Sequence, residues 1–187
     1  MALLEIKNLK TYFFLRRGTV KAVDDVSFSV DRGETLGIVG ESGCGKTITS
    51  LSIMSLVPSP GKSVGGSILF DGEELLTKSE EEMRHYRGRY ISQILQDPLS
   101  SLNPVFTIGN QVGEGIIIHD HMKGKPLKER IIGLLKRLGI SGAETRINDY
   151  PHQFSGGMRQ RVVGAICIAC RPQLLIADEP TTSLDVT

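Results

Sequence analysis

Thr35-Leu36-Gly37-Ile38-Val39-Gly40-Glu41-Ser42-Gly43-Cys44-Gly45-Lys46-Thr47-Ile48 decides how this chain is read. Thr35 to Val39 is a short, nearly continuous apolar run, which predicts a strand covered on both faces. Gly40-x4-Gly45-Lys46-Thr47 then matches a phosphate-cradling loop set between a strand and a helix. Its glycines let backbone N–H groups turn inward, where a Cβ would obstruct them. Lys46 is placed to reach the β- and γ-phosphates of a nucleotide, and Thr47 to offer its hydroxyl to Mg²⁺. Glu41, Ser42, Gly43, Cys44 and Ile48 complete the expected phosphate-binding set. The following helix, expected from Thr47 to Leu56, adds the partial positive charge of its N-terminus.

On the N-terminal side, Leu4 to Leu9 alternates, and Val20 to Val30 is a second alternating run, so two strands are expected there. Beyond the loop helix, Ser67 to Phe70 and the Asp71-Gly72 turn predict another antiparallel strand. A short polar helix is expected from Ser79 to Tyr86, then a strand from Arg89 to Leu95. From about Asp97 to Phe154 the pattern becomes helical. Pro126 fits a first helical position, Leu127, Ile131, Leu134, Leu135 and Leu138 make an apolar stripe, and Gly139 fits a C-terminal cap. Ser155 reads as an N-cap with Val162, Ile166 and Ala169 on the buried face beyond it. Leu174 to Ala177 is a second continuous apolar strand ending in Asp178-Glu179.

The chain has 187 residues, a net charge of +1 and no block of like charge, which argues against a broad nucleic-acid surface. No apolar run reaches the roughly 18 to 20 residues that span a bilayer. The three cysteines are not a disulfide framework, and Cys167-x-x-Cys170 lies among apolar residues in a helix, where packing is the expected role. His119 and His121 are expected to face solvent.

Two further stretches carry chemistry. Asp178, at the end of an apolar strand, suits Mg²⁺, and Glu179 suits a general base for water. Alone, such a pair reads as a solvated strand end; beside the phosphate loop it reads as a metal and base pair. Ser155-Gly156-Gly157-Met158-Arg159-Gln160 bares backbone N–H groups at a helix N-terminus, which makes a second anion cradle. One nucleotide does not need two cradles, so the second is expected to serve a nucleotide held by another subunit.

These motifs, in this order, resemble the ATP-binding cassette (ABC) ATPases: Walker A (Gly40 to Thr47), Q-loop (Gln96), signature (Ser155 to Gln160), Walker B (Leu174 to Asp178, then Glu179) and D-loop (Ser183-Leu184-Asp185). The resemblance implies an α/β fold, a P-loop NTPase (RecA-like) core with an N-terminal antiparallel β subdomain and an inserted α-helical subdomain. The expected divisions are 1–96, 97–155 and 156–187. It implies ATP and Mg²⁺, with Thr47, Gln96 and Asp178 at the metal. Lys46, Gln96 and Glu179 are the catalytic residues, and Ser155, Gly156, Gly157 and Asp185 act in nucleotide binding across a dimer. Aligning Asn8-Leu9 with the family's first strand places Phe13 against adenine, with Tyr12 on the opposite face as the alternative.

Leu95 to Pro104, Tyr150 to Arg161 and Ala177 to Thr187 further resemble ATPase subunits of oligopeptide and dipeptide importers, with nickel and glutathione importers close by. That implies a sister ATPase subunit, a heterodimer before a homodimer. It also implies transmembrane permease subunits, an extracytoplasmic binding protein, and a place at the cytoplasmic face of the membrane. The resemblance offers no nucleic acid partner. The sequence stops two residues past Asp185, before the family's switch histidine, so a fragment with ATP binding, impaired hydrolysis and a tendency to self-associate is expected. The competing readings are a nucleotide-binding and dimerisation module with little turnover, and a non-transport ABC ATPase.

Overall fold

A computed structural model of the chain describes residues 2–95 and 101–179. It divides into two compact units, Met1–Arg84 and His85–Thr187.

The first unit is an antiparallel sheet of order β2-β1-β3-β4, with β1 at Ala2–Leu15, β2 at Gly18–Asp31, β3 at Gly61–Phe70 and β4 at Glu73–Glu74. Leu4 and Ile6 of β1 point into the interior, and an irregularity at the left-handed Asn8 (φ 48°) lets Leu9 and Thr11 do the same, where Ile68 and Phe70 of β3 join them. Asp71 and Gly72 both take left-handed conformations, which turns the chain from β3 into β4. Helix α1, Lys46–Ile53, packs on this sheet. Its buried Ser52 shares a 2.8 Å hydrogen bond with Thr11, so two polar groups are buried as a satisfied pair. The helix ends earlier than Leu56. Ser55 turns left-handed and the Leu56 N–H donates to the Leu51 carbonyl at 2.8 Å, closing the helix ahead of Pro58.

The strand expected at Thr35–Val39 does not form. All residues from 31 to 44 are exposed, Val39 at 93%. Among the described residues this segment has no strand partner, since the sheet of the first unit is built from β1 to β4 alone. Apolar composition does not make a strand without a neighbour to take up its N–H and C=O groups.

The second unit pairs β5 (Ile91–Ile94) in parallel with β6 (Leu174–Ala177). Helix α2 (Glu80–Tyr86) precedes β5, and between the two strands run α3 (Ile108–Asp120), α4 (Gly124–Arg137), α5 (Ala143–Arg146) and α6 (Gly156–Ile168). Ile108, Val112 and Ile116 of α3, Ile131 and Leu135 of α4, and Val162 and Ala165 of α6 form one core. Pro126 is the third residue of α4, still in the first turn where its missing N–H costs nothing. Gly139, at φ 74°, ends α4 as expected, with the Ile140 N–H on the Leu135 carbonyl at 2.9 Å. The α6 helix lies on β5, where the buried Cys167 thiol donates to the Gln93 carbonyl at 3.3 Å. The β6 strand is not covered on both faces. Leu175 is 45% exposed, and β5 is its one strand neighbour among the described residues.

Candidate functional site

In the first unit the residues Gly40 to Lys46 form a loop folded around its own lysine. The Lys46 ammonium donates to the carbonyl oxygens of Gly40 (2.8 Å) and Glu41 (2.9 Å), and lies 3.8 Å from the Cys44 sulfur. A side chain at Gly40 would come within 2.6 Å of that sulfur, so the loop is tight at this point. Gly45 caps α1 at φ 96°, without a side-chain cap, and its carbonyl receives both the N–H (2.8 Å) and the hydroxyl (2.9 Å) of Thr49. A Cβ at Gly45 would collide with the Ala22 carbonyl of β2, so glycine is required both by conformation and by space. Thr47 and Ile48 are half-buried in the first turn of α1. Glu41, Ser42, Gly43 and Cys44 are exposed.

Phe13 belongs to the same unit. It pairs with Val20 of β2 and Gly61 of β3, and its ring edge fills, with Val57, the space a side chain on Gly61 would take. Tyr12 faces the other way. Its hydroxyl donates to Asp24 at 2.5 Å, and the Lys21 ammonium stands 5.4 Å from its ring centre. This hydrogen bond raises the ionisation of Tyr12 above the ordinary phenol range, and it lowers that of Asp24.

In the second unit β6 ends in Asp178, whose N–H continues the ladder to the Ile94 carbonyl at 3.0 Å. Asp178 is 7% exposed, and its Oδ2 is buried with no hydrogen-bond partner. Glu179 follows in a left-handed backbone conformation, φ 47°, uncommon for a residue with a side chain. At the start of α6, Ser155 caps the helix by accepting from the Met158 N–H at 3.3 Å. Gly156 and Gly157 come next, and a Cβ on either would meet nothing within 4 Å. The chain's own packing does not require glycine there; close approach of something outside it would.

A family model described as ABC transporter matches residues 23–182. The chain belongs to the ABC transporter family. It is 53% identical over 186 residues to the oligopeptide transport ATP-binding protein AppD of Bacillus subtilis, covering 99% of this chain and 57% of that protein. It is 50% identical over 187 residues to the dipeptide transport ATP-binding protein DppD of Haemophilus influenzae, again covering 57% of the relative. The chain thus spans a little over half the length of the curated relatives it matches. Among solved structures it is similar to the dimeric structure of MJ0796, described as a bacterial ABC transporter cassette. The TM-score is 0.85 at 27% identity, over 97% of this chain and 76% of that one. A second MJ0796 structure, in a post-hydrolysis state bound to ADP and Pi, gives a TM-score of 0.86. The fold is accordingly that of the ABC cassettes, an α/β P-loop NTPase.

For an ABC cassette, the site residues divide between the units. Phe13 and Gly40 to Ile48 lie in the first; Asp178, Glu179, Ser155, Gly156 and Gly157 lie in the second. Gln96 and Asp185 lie outside the described residues. Tyr12 enters the sequence reading only as the alternative adenine aromatic, and Asp24 and Lys21 not at all; the Lys21-x-x-Asp24 spacing would put those two on opposite faces of a regular strand, so sequence gives no sign of their pairing. Gln160, read in sequence only as the last residue of the signature, has both amide heteroatoms buried without a hydrogen-bond partner among the described residues. His119 departs from the solvent-facing expectation: it is half-buried, with Nε2 against Gly88.

Proposed function

We propose that this chain is the nucleotide-binding part of an ABC importer subunit that couples ATP binding and hydrolysis to uptake of peptides. The observation that carries the reading is the Gly40–Thr47 loop with its lysine already turned inward, in a chain about half identical to peptide-transport ATP-binding proteins. Phosphate oxygens offer Lys46 a stronger, charged acceptor than the two carbonyls it now holds. Transfer of Lys46 onto the nucleotide frees Gly40 and Glu41, and the loop's N–H groups take the remaining oxygens. Phe13, half-buried with its ring edge beside Gly61, supplies a ring for adenine to stack on.

Asp178 suits Mg²⁺, because its orphaned, buried Oδ2 is a donor that a cation would satisfy. Thr47, Asp178 and Gln96 would hold it, and the ion supplies charge neutralisation at the phosphates. Glu179 accepts a proton from the attacking water as general base. The open N–H groups at Gly156 and Gly157, capped by Ser155, hold the phosphates of a nucleotide bound to a second cassette, with Asp185 near that dimer contact. The dimeric MJ0796 cassette supports pairing of this kind.

The pairing partner is a sister ATP-binding subunit, the membrane partners are permease subunits fed by an extracytoplasmic binding protein, and the chain works at the cytoplasmic face. No helix among the described residues is long and apolar enough to cross a membrane. A second reading, nucleotide binding with little turnover, is favoured by the Thr35–Val39 segment, which has no strand partner among the described residues.

The test is reconstitution of the full-length subunit with its permease and binding protein in vesicles. Uptake of a radiolabelled tripeptide that needs ATP is expected. ATP hydrolysis with no uptake across a panel of peptides would overturn peptide import.

A further inference from the structure

Between the pairs Leu9–Val26 and Tyr12–Lys21, β1 advances three residues while β2 advances five. Two residues of β2 therefore fall outside the regular register in this stretch. One interruption is marked by Asp25, in a left-handed conformation at φ 65°. The other is Ala22, which is passed over between the pairs Thr11–Val23 and Tyr12–Lys21.

In a regular strand, residues three apart point to opposite faces. A bulge residue reverses the alternation, and here it brings Lys21 and Asp24 to one face, with the ammonium 3.1 Å from Asp24 Oδ2. Tyr12, on the facing strand, completes the cluster by donating to Asp24 Oδ1. The exposed Lys21 and Asp24 and the half-buried Tyr12 thus bracket the bulge at Ala22.

That bulge touches the phosphate loop. The Ala22 carbonyl occupies the space where a side chain on Gly45 would stand, and a Cβ added there would also lie 3.7 Å from Val23 Cγ2. Gly45 is the left-handed residue that turns the loop into α1. Directly after Tyr12, on the other face, comes Phe13 against Gly61 and Val57. The cluster is therefore bonded across a stretch of hairpin that abuts the phosphate loop and carries the ring assigned to adenine.

We propose that Tyr12, Asp24 and Lys21 form a clamp that fixes the bulge at Ala22 and through it positions Gly45, making Tyr12 a positioning residue for nucleotide binding. This rests on the reading of Gly40–Thr47 as the ATP site. A cluster that merely stabilised the hairpin would change the melting temperature and leave affinity untouched well below it.

The test uses Tyr12→Phe, Asp24→Asn and the double variant, with MgATP and inorganic tripolyphosphate as probes at a temperature far below melting. Each single substitution is expected to weaken both probes by about threefold to tenfold, the range of a charge-assisted hydrogen bond weakened by exposure. The double variant is expected to lose no more than the worse single. Phe13→Ala provides the contrast: it is expected to weaken MgATP and leave tripolyphosphate binding alone, because its effect runs through the base. Unchanged affinities for both probes in Tyr12→Phe and Asp24→Asn, with the parent binding normally, would overturn the clamp alone. A parent chain that binds neither probe would overturn the nucleotide-site reading and the clamp with it.

Discussion

The Glu179 backbone, left-handed at the end of β6, presents its carboxylate one residue beyond the buried Asp178. Substituting Glu179 by Gln keeps the shape and removes the base, so hydrolysis by the assembled transporter is expected to fall by about 10²–10⁴-fold with MgATP affinity retained. Equal turnover in the variant, measured by phosphate release, would remove Glu179 from that role. The Tyr12–Asp24 pair makes a second prediction at this scale. Asp24 raises the ionisation of Tyr12, first by accepting its hydrogen bond and then by its charge. Asp24→Asn is expected to bring one tyrosine back toward the ordinary phenol range, read as phenolate absorbance in an alkaline titration. Superimposable titrations would contradict the pair. At this scale the loop glycines, Lys46 and Asp178 were legible in the sequence because their spacing is their chemistry. The clamp was not, because it depends on a one-residue bulge that no local pattern announces.

Helix α3 ends at Asp120, and the half-buried His119 in its last turn makes the element sensitive to pH. Desolvation, then the charges of Arg89 and His85, lower its ionisation, against a smaller opposing effect from Asp120 and a backbone bond with Arg87. A histidine whose folded-state value is depressed gives full stability above its unfolded value near 6.5 and loses stability as pH falls below it. His119→Gln is therefore expected to flatten the decline in melting temperature between about pH 7 and pH 5; parallel declines in parent and variant would contradict this. The elements themselves were mostly readable. The stripe of α4 and the serine cap of α6 are local features, and both form as their sequences predict. Thr35–Val39 and the two-sided burial of β6 were misread for a common reason. A continuous apolar run reports what the segment needs around it, and among the described residues that cover is absent.

On the scale of the molecule, the near-neutral charge and the order of motifs along the chain suffice to place it among the ABC cassettes, and the matched residues 23–182 agree. The exposed Leu36, Ile38 and Val39 leave an apolar segment facing water. Such a segment is expected to bind a hydrophobic dye, and Val39→Asp to reduce the signal; no dye binding by the parent would contradict the exposure. The central claim is that the Gly40–Thr47 loop holds ATP through Lys46. Titration calorimetry of MgATP into the chain and into its Lys46→Ala variant tests it most directly. Saturable binding by the parent, weakened at least about tenfold in the variant as expected for loss of a charge-assisted contact, is the predicted result. Equal affinity in the two proteins, or no binding by the parent, would contradict it.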